Sequence, residues 1–168
     1  FVEMNATDAA RAGLTDGQLA RISSPRGVMV ARVRISTAQR AGELFAPMHW
    51  NAQFARQGKV NALVEGRIDA GSGQPESKQT AVRIMPWLPA WQGELYAREL
   101  PALPPSVCWW RKASRLTVAG EQPLLSWVRA YASGRGWQLQ VAQTGERSSV
   151  LAWHHGELML GYWEGHTL

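Results

Sequence analysis

The chain has 168 residues, 18 basic and 13 acidic, for a net charge of +5, with nine tryptophans and a single cysteine, Cys108. One cysteine excludes an internal disulfide framework and any cysteine-built zinc or iron–sulfur centre drawn from this chain alone. The basic residues are scattered arginines rather than blocks, which permits anion binding without demanding it, and no apolar run approaches the roughly 20 residues of a membrane span.

These bounds lead us to expect a globular protein in a reducing, cytoplasmic setting, with neither nucleic acid nor membrane as partner. The chain starts at Phe1 without a basic, apolar, small-residue leader pattern, and reads as a piece of a longer protein. Only Trp50 among the tryptophans precedes residue 85, so a domain boundary is expected in "MPWLPAWQGE".

Val2 to Met4 suits a short strand. Asn5 or Thr7 can cap a helix over Asp8 to Ala12, with Gly13 placed to stop it. "QLARIS" and "VMVARVRI" are strands. In the second, Met29, Ala31, Val33 and Ile35 share one face and Val28, Val30, Arg32 and Arg34 the other. "SPRG" between them is a reverse turn in which Gly27 can take positive φ, so the two form a hairpin. Glu43 to Met48 reads as a strand interrupted by Pro47, which suits an edge. Residues 51 to 78 hold almost no periodic run, and "TAVRIM" is a closing strand.

Residues 85–105 read as a proline- and tryptophan-containing linker. From 106 to 168 follow the strands "VCWWRK" and "SRLTVA", then the helix "PLLSWVRAYASG", with Leu124, Leu125, Val128 and Tyr131 on one face. The strands "WQLQVAQ", "SVLAWHH" and "ELMLGYW" complete an α+β unit. The tryptophans at strand spacing are expected to fill its core rather than form a stacking platform for single-stranded nucleic acid.

Catalytic groups are sparse. The four histidines show no metal-ligand spacing, and His154 and His155, read as strand neighbours, point to opposite faces and are unsuited to chelating one ion. Cys108 reads as a buried, inert thiol. The irregular middle stretch differs. His49, Trp50, Asn51, Asn61, Gln74, Glu76 and Lys78 bring many hydrogen-bonding groups onto loops beside strand ends. Paired amide donors and acceptors with one lysine suit a polar heterocycle bearing phosphate, and they equally suit a solvated loop.

The ordered segments "VEMNATDAARAGLTDGQLARISSPRG", "GELFAPMHWN", "VNAL" and "SGQPESKQTAVRI" carry a specific resemblance. Residues 1–84 resemble the C-terminal molybdopterin-dinucleotide-binding domain of molybdenum oxidoreductases that hold two molybdopterin guanine dinucleotides. The wording is most similar to bacterial assimilatory nitrate reductases. The resemblance implies a mainly β fold, a double-psi β-barrel over residues 1–84, followed by the small tryptophan-rich α+β unit. It implies cofactor binding by His49, Trp50, Asn51, Asn61, Gln74, Glu76 and Lys78, with no catalytic residue and no metal ligand in this chain. The cofactor, molybdenum bis(molybdopterin guanine dinucleotide), would belong to a full-length enzyme that reduces nitrate to nitrite. The isolated chain is expected to bind none and to be inactive. The implied partners are N-terminal domains of the same polypeptide, which would carry iron–sulfur centres; no residue here specifies the electron donor. The family usually has an aromatic residue where Ser77 stands, threonine at Val64 and Asp-Pro at Asp69-Ala70. Two rivals are a formate dehydrogenase with the same domain and a stand-alone binding module without cofactor.

Overall fold

The protein is described here as a computed structural model covering residues 1–48, 55–74, 79–99, 101–112 and 115–166. It is mainly β and divides into two compact units, Phe1–Leu88 and Pro89–Leu168.

In the first unit, Val2–Met4 (β1) leads into the helix Ala6–Ala12 (α1). Asn5 caps that helix by accepting a hydrogen bond from the Thr7 amide, and Gly13 ends it in the left-handed region at φ 66°, where a side chain would be strained. Leu19–Ser23 (β2) and Val28–Ile35 (β3) pair antiparallel, with Ile22 opposite Met29 and Ala20 opposite Ala31. The alternation fixes the buried face, because Met29, Ala31 and Val33 all enter the core with Val2, Met4, Ala20 and Ile22. β1 runs parallel to β3 on its other side, and Leu44–Phe45 (β4) and Arg83–Pro86 (β6) complete a sheet ordered β4-β1-β3-β2-β6. Ala55–Arg56 (β5) and a 3₁₀ turn over Val60–Ala62 lie between those last two strands in sequence.

Two expectations need correction here. The strand expected over Glu43 to Met48 is reduced to β4, which ends before Pro47, a residue with no amide hydrogen to give a ladder. Gly27 does not adopt positive φ; the reason for glycine is space, since a Cβ there would stand 2.5 Å from the Ala62 carbonyl oxygen.

The second unit contains Trp91–Ala97 (β7), Val107–Lys112 (β8), Leu116–Gly120 (β9), the helix Leu125–Ser133 (α2), Gln138–Thr144 (β10), Arg147–His154 (β11) and Glu157–His166 (β12). Its strands are ordered β10-β11-β12-β7-β9-β8, and every pairing among them is antiparallel. Trp91, Leu95, Leu116, Val118, Val150, Ala152, Leu160 and Tyr162 share one buried face, onto which α2 sets Val128 and Ala132. The expected linker over 85–105 is therefore corrected: it holds β7, which lies between β12 and β9. "WQGELYA" alternates buried and exposed positions as a half-buried strand should. Of the tryptophans, Trp91 and Trp109 are buried, Trp110, Trp127 and Trp137 pack against the core, and Trp163 is exposed. Cys108 is half-buried rather than buried. Among the described residues no helix is long and apolar enough to cross a membrane.

Candidate functional site

A cavity of about 490 Å³ opens in the first unit. Its lining is drawn from points far apart in the chain: Val2 on β1, Ile22 on β2, Met29 on β3, Leu44 and Phe45 on β4, Val60 and Leu63 at the 3₁₀ turn, and Gln79, Thr80 and Val82 before β6. The turn is pinned from the hairpin side. The Ser24 hydroxyl donates to the Leu63 carbonyl at 2.7 Å, and Gly27 allows the backbone of Ala62 to come close. That pairing presents Val60 and Leu63 to the cavity as a fixed wall.

The surface of the cavity is mostly hydrocarbon. Gln79 and Thr80 are the polar side chains among its described lining, and none of that lining is charged. The Thr80 hydroxyl oxygen is buried and has no hydrogen-bond partner among the described residues. An unpaired buried hydroxyl costs about 1–3 kcal/mol, so a ligand group that reached it would recover that penalty.

The structure treats the expected binding residues unequally. Asn61 lies in the 3₁₀ turn beside Val60 but is exposed and does not line the cavity. Gln74 is exposed as well, and its carbonyl accepts from the Asp69 amide at 2.9 Å. His49, Trp50, Asn51, Glu76 and Lys78 lie outside the described residues. In sequence they adjoin the cavity closely: Met48, which lines it, precedes His49, and Gln79, which also lines it, follows Lys78.

The loop that leads to residues 75–78 has a definite construction. The Asp69 carboxylate accepts from the amides of Gly71 at 3.1 Å and Ser72 at 2.6 Å, and from the Ser72 hydroxyl at 2.8 Å. The Ser72 amide, its hydroxyl and then the Gly71 amide hold that carboxyl below the usual aspartate range. Gly73 donates back to the Asp69 carbonyl at 2.9 Å, closing the turn.

Sequence reasoning missed Thr80 and the apolar floor. Val2, Ile22, Met29 and Leu63 look like ordinary core positions in one dimension, and nothing in their spacing shows that their far ends leave a space.

Comparison with known proteins bears on this unit directly. Residues 1–81 match the family model of the molydopterin dinucleotide binding domain. A nitrate reductase from Klebsiella oxytoca is 52% identical over 166 residues, covering 96% of this chain and 19% of that protein. The assimilatory nitrate reductase catalytic subunit of Bacillus subtilis is 35% identical over 86 residues, 51% of this chain and 12% of its own length. A putative formate dehydrogenase from the same organism, YrhE, is 32% identical over 84 residues, 50% of this chain and 8% of its own length. The chain thus spans about a fifth, or less, of the relatives it matches.

Proposed function

Residues 1–81 belong to the molydopterin dinucleotide binding domain family, and from that premise we propose that the chain is the C-terminal, cofactor-binding portion of a molybdenum nitrate reductase. The observation that carries the reading is the buried, unpartnered Thr80 hydroxyl on a cavity within the family-matching unit. Cavities of about 300–1,000 Å³ with an apolar lining and a few polar groups are the usual form of small-molecule sites.

The residues present fit one end of such a cofactor better than the other. The apolar floor offers van der Waals contact to the faces of a flat heterocycle, while Thr80 and Gln79 offer hydrogen-bonding groups to its edge. No cation is among the described lining residues, so a phosphate would be met by Lys78, one residue before Gln79, with His49, Trp50, Asn51, Asn61, Gln74 and Glu76 contributing at the rim. In this reading the first unit is a double-psi β-barrel, and the parallel pairing of β1 with β3 inside an otherwise antiparallel sheet supports it.

The bound cofactor would supply the redox centre at which nitrate loses an oxygen atom. This chain's residues bind and orient; N-terminal domains of the same cytoplasmic polypeptide would supply the metal ligand and the electron relay. The second unit would accompany the barrel as a packed, non-catalytic part. A formate dehydrogenase has support in the match to YrhE, which reaches half of the chain. The Klebsiella nitrate reductase matches 96% of it, both units included, and this favours nitrate.

Lys78 provides the test. A charge-assisted hydrogen bond from its ammonium group to a pterin oxygen or phosphate is worth roughly 1.5–3 kcal/mol, against at most about 1 kcal/mol for a solvent-exposed pair with Glu76. In the full-length enzyme, Lys78→Ala should lower molybdenum cofactor occupancy and leave the melting temperature of the cofactor-free protein unchanged. Unchanged occupancy, or a parallel fall in both, would make Lys78 a surface or structural lysine and remove the proposed phosphate contact.

A further inference from the structure

The hairpin joining β11 to β12 turns through His155 and Gly156, whose φ angles are 49° and 82°. Positive φ at both central residues is the type I′ geometry, for which asparagine, aspartate or glycine is the usual first residue. Histidine is among the non-glycine residues that enter the left-handed region more readily than most, although it is not the usual first residue of this turn. Its consequence is spatial. Consecutive residues of a strand project to opposite faces, which is the basis for expecting His154 and His155 to diverge. The left-handed backbone at His155 reverses that expectation, and the two exposed imidazoles face one another with ring centroids 4.0 Å apart and planes inclined by 51°.

We propose that His154 and His155 form a two-imidazole surface site for a divalent transition metal of tetragonal preference, copper(II) or nickel(II). With metal–nitrogen bonds of about 2.0 Å, two cis imidazoles on a square ion have centroids about 4.5 Å apart, and two on a tetrahedral ion about 5 Å apart. The observed 4.0 Å lies within about an ångström of either arrangement, so modest rotation of the two exposed rings can bring a nitrogen of each onto one ion. The order of affinities for nitrogen ligands places copper(II) above nickel(II) and zinc. The neighbouring carboxylate, Glu157, is engaged with Arg98 at 2.9 Å, and among the described residues no group of three or more His, Cys, Asp or Glu could hold a metal. The remaining coordination positions therefore fall to solvent or to an incoming ligand, which makes this an open site at a hairpin tip.

Copper(II) titration of the protein, followed by electron paramagnetic resonance and the visible ligand-field band, tests the assignment. One equivalent should bind with hyperfine coupling from two imidazole nitrogens. His155→Gly suits the positive φ and so keeps the turn, while His154→Gln changes an exposed strand end. Each should weaken binding by at least about tenfold and leave coupling from one nitrogen, because the second ring acts at the high effective concentration of a neighbour. Wild-type affinity and an unchanged two-nitrogen signal in both variants would overturn the site, as would a wild-type protein showing no two-nitrogen signal at one equivalent.

Discussion

The two units hold a buried hydroxyl in opposite ways. In the second, the hydroxyl of Tyr162, on a side chain with no solvent exposure, donates to the Glu164 carboxylate, which also accepts the Leu124 amide at 3.1 Å where α2 begins. Burial, then the hydrogen bond to Glu164 and its negative charge, push the Tyr162 phenol well above the ordinary tyrosine range. In the first unit, the buried Thr80 hydroxyl lies on a cavity and has no partner among the described residues. A hydroxyl whose partners are all internal serves the fold. One left open at the edge of a cavity is a feature the fold alone does not explain. The contrast supports the ligand site proposed for the first unit.

The largest expected effect concerns packing. Trp91 is 1% exposed and meets Tyr162 edge-on, with ring centroids 6.5 Å apart. Trp91→Ala should destabilise the protein by about 3–5 kcal/mol, through lost transfer energy and the cavity left behind, as read by denaturant unfolding. The indole nitrogen of Trp91 is itself buried without a partner among the described residues, so Trp91→Phe, which keeps an aromatic ring and removes that nitrogen, should cost distinctly less. Equal losses for the two variants would show that area burial is not what Trp91 contributes.

The comparison of the two hydroxyls can be made directly. Tyr162→Phe removes a donor bonded to a carboxylate and should cost roughly 1.5–3 kcal/mol. The raised phenol pKa sets the sign of the pH dependence. The stabilisation is fully present below the unfolded tyrosine value of about 10 and is lost as pH rises toward the higher folded value. Tyr162→Phe should therefore flatten the alkaline limb of the stability profile. Thr80→Val should act with the opposite sign, raising the stability of the cofactor-free protein by about 1 kcal/mol because it removes an unsatisfied group. In the full-length enzyme the same substitution should reduce cofactor occupancy. A Thr80→Val protein that is less stable and fully loaded would dissolve the distinction between the units.

The helices and the β2–β3 hairpin were legible in the sequence because short-range signals specify them. Asn5 and Gly13 bound α1, and the alternation of Met29, Ala31 and Val33 marks the core side of β3. β7 had an equally regular pattern in Trp91, Gly93 and Leu95, but the flanking prolines suggested a linker; its two-sided pairing with β12 and β9 is non-local and leaves no local mark. The site divides the same way. Polar loops beside strand ends point to His49, Asn51 and Lys78 in one dimension, whereas the cavity exists only where β1, β2, β3 and the 3₁₀ turn converge. The histidine pair shows how a single dihedral angle decides an outcome. Strand periodicity separates the two rings, and one left-handed residue joins them.

The smallest effect lies in the loop that leads to the expected ligand residues. Asp69 is fully exposed, so its three hydrogen bonds organise residues 69–74 without contributing measurably to global stability. Its carboxyl titrates below the ordinary aspartate value, and the sign follows: the loop's order is present above the unfolded pKa of about 3.9 and is lost as pH falls through the lower folded value. Nuclear magnetic resonance should show the Ser72 and Gly71 amides shifting together with the Asp69 carboxyl at acid pH, while core amides of the β2–β3 hairpin stay unmoved. Asp69→Asn should abolish that coupled shift and leave the melting temperature within about 0.5 kcal/mol equivalent of the wild type, as for a surface position. If the amides titrate independently of Asp69, the carboxylate does not organise the loop, and the presentation of Lys78 must be set by some other part of the first unit.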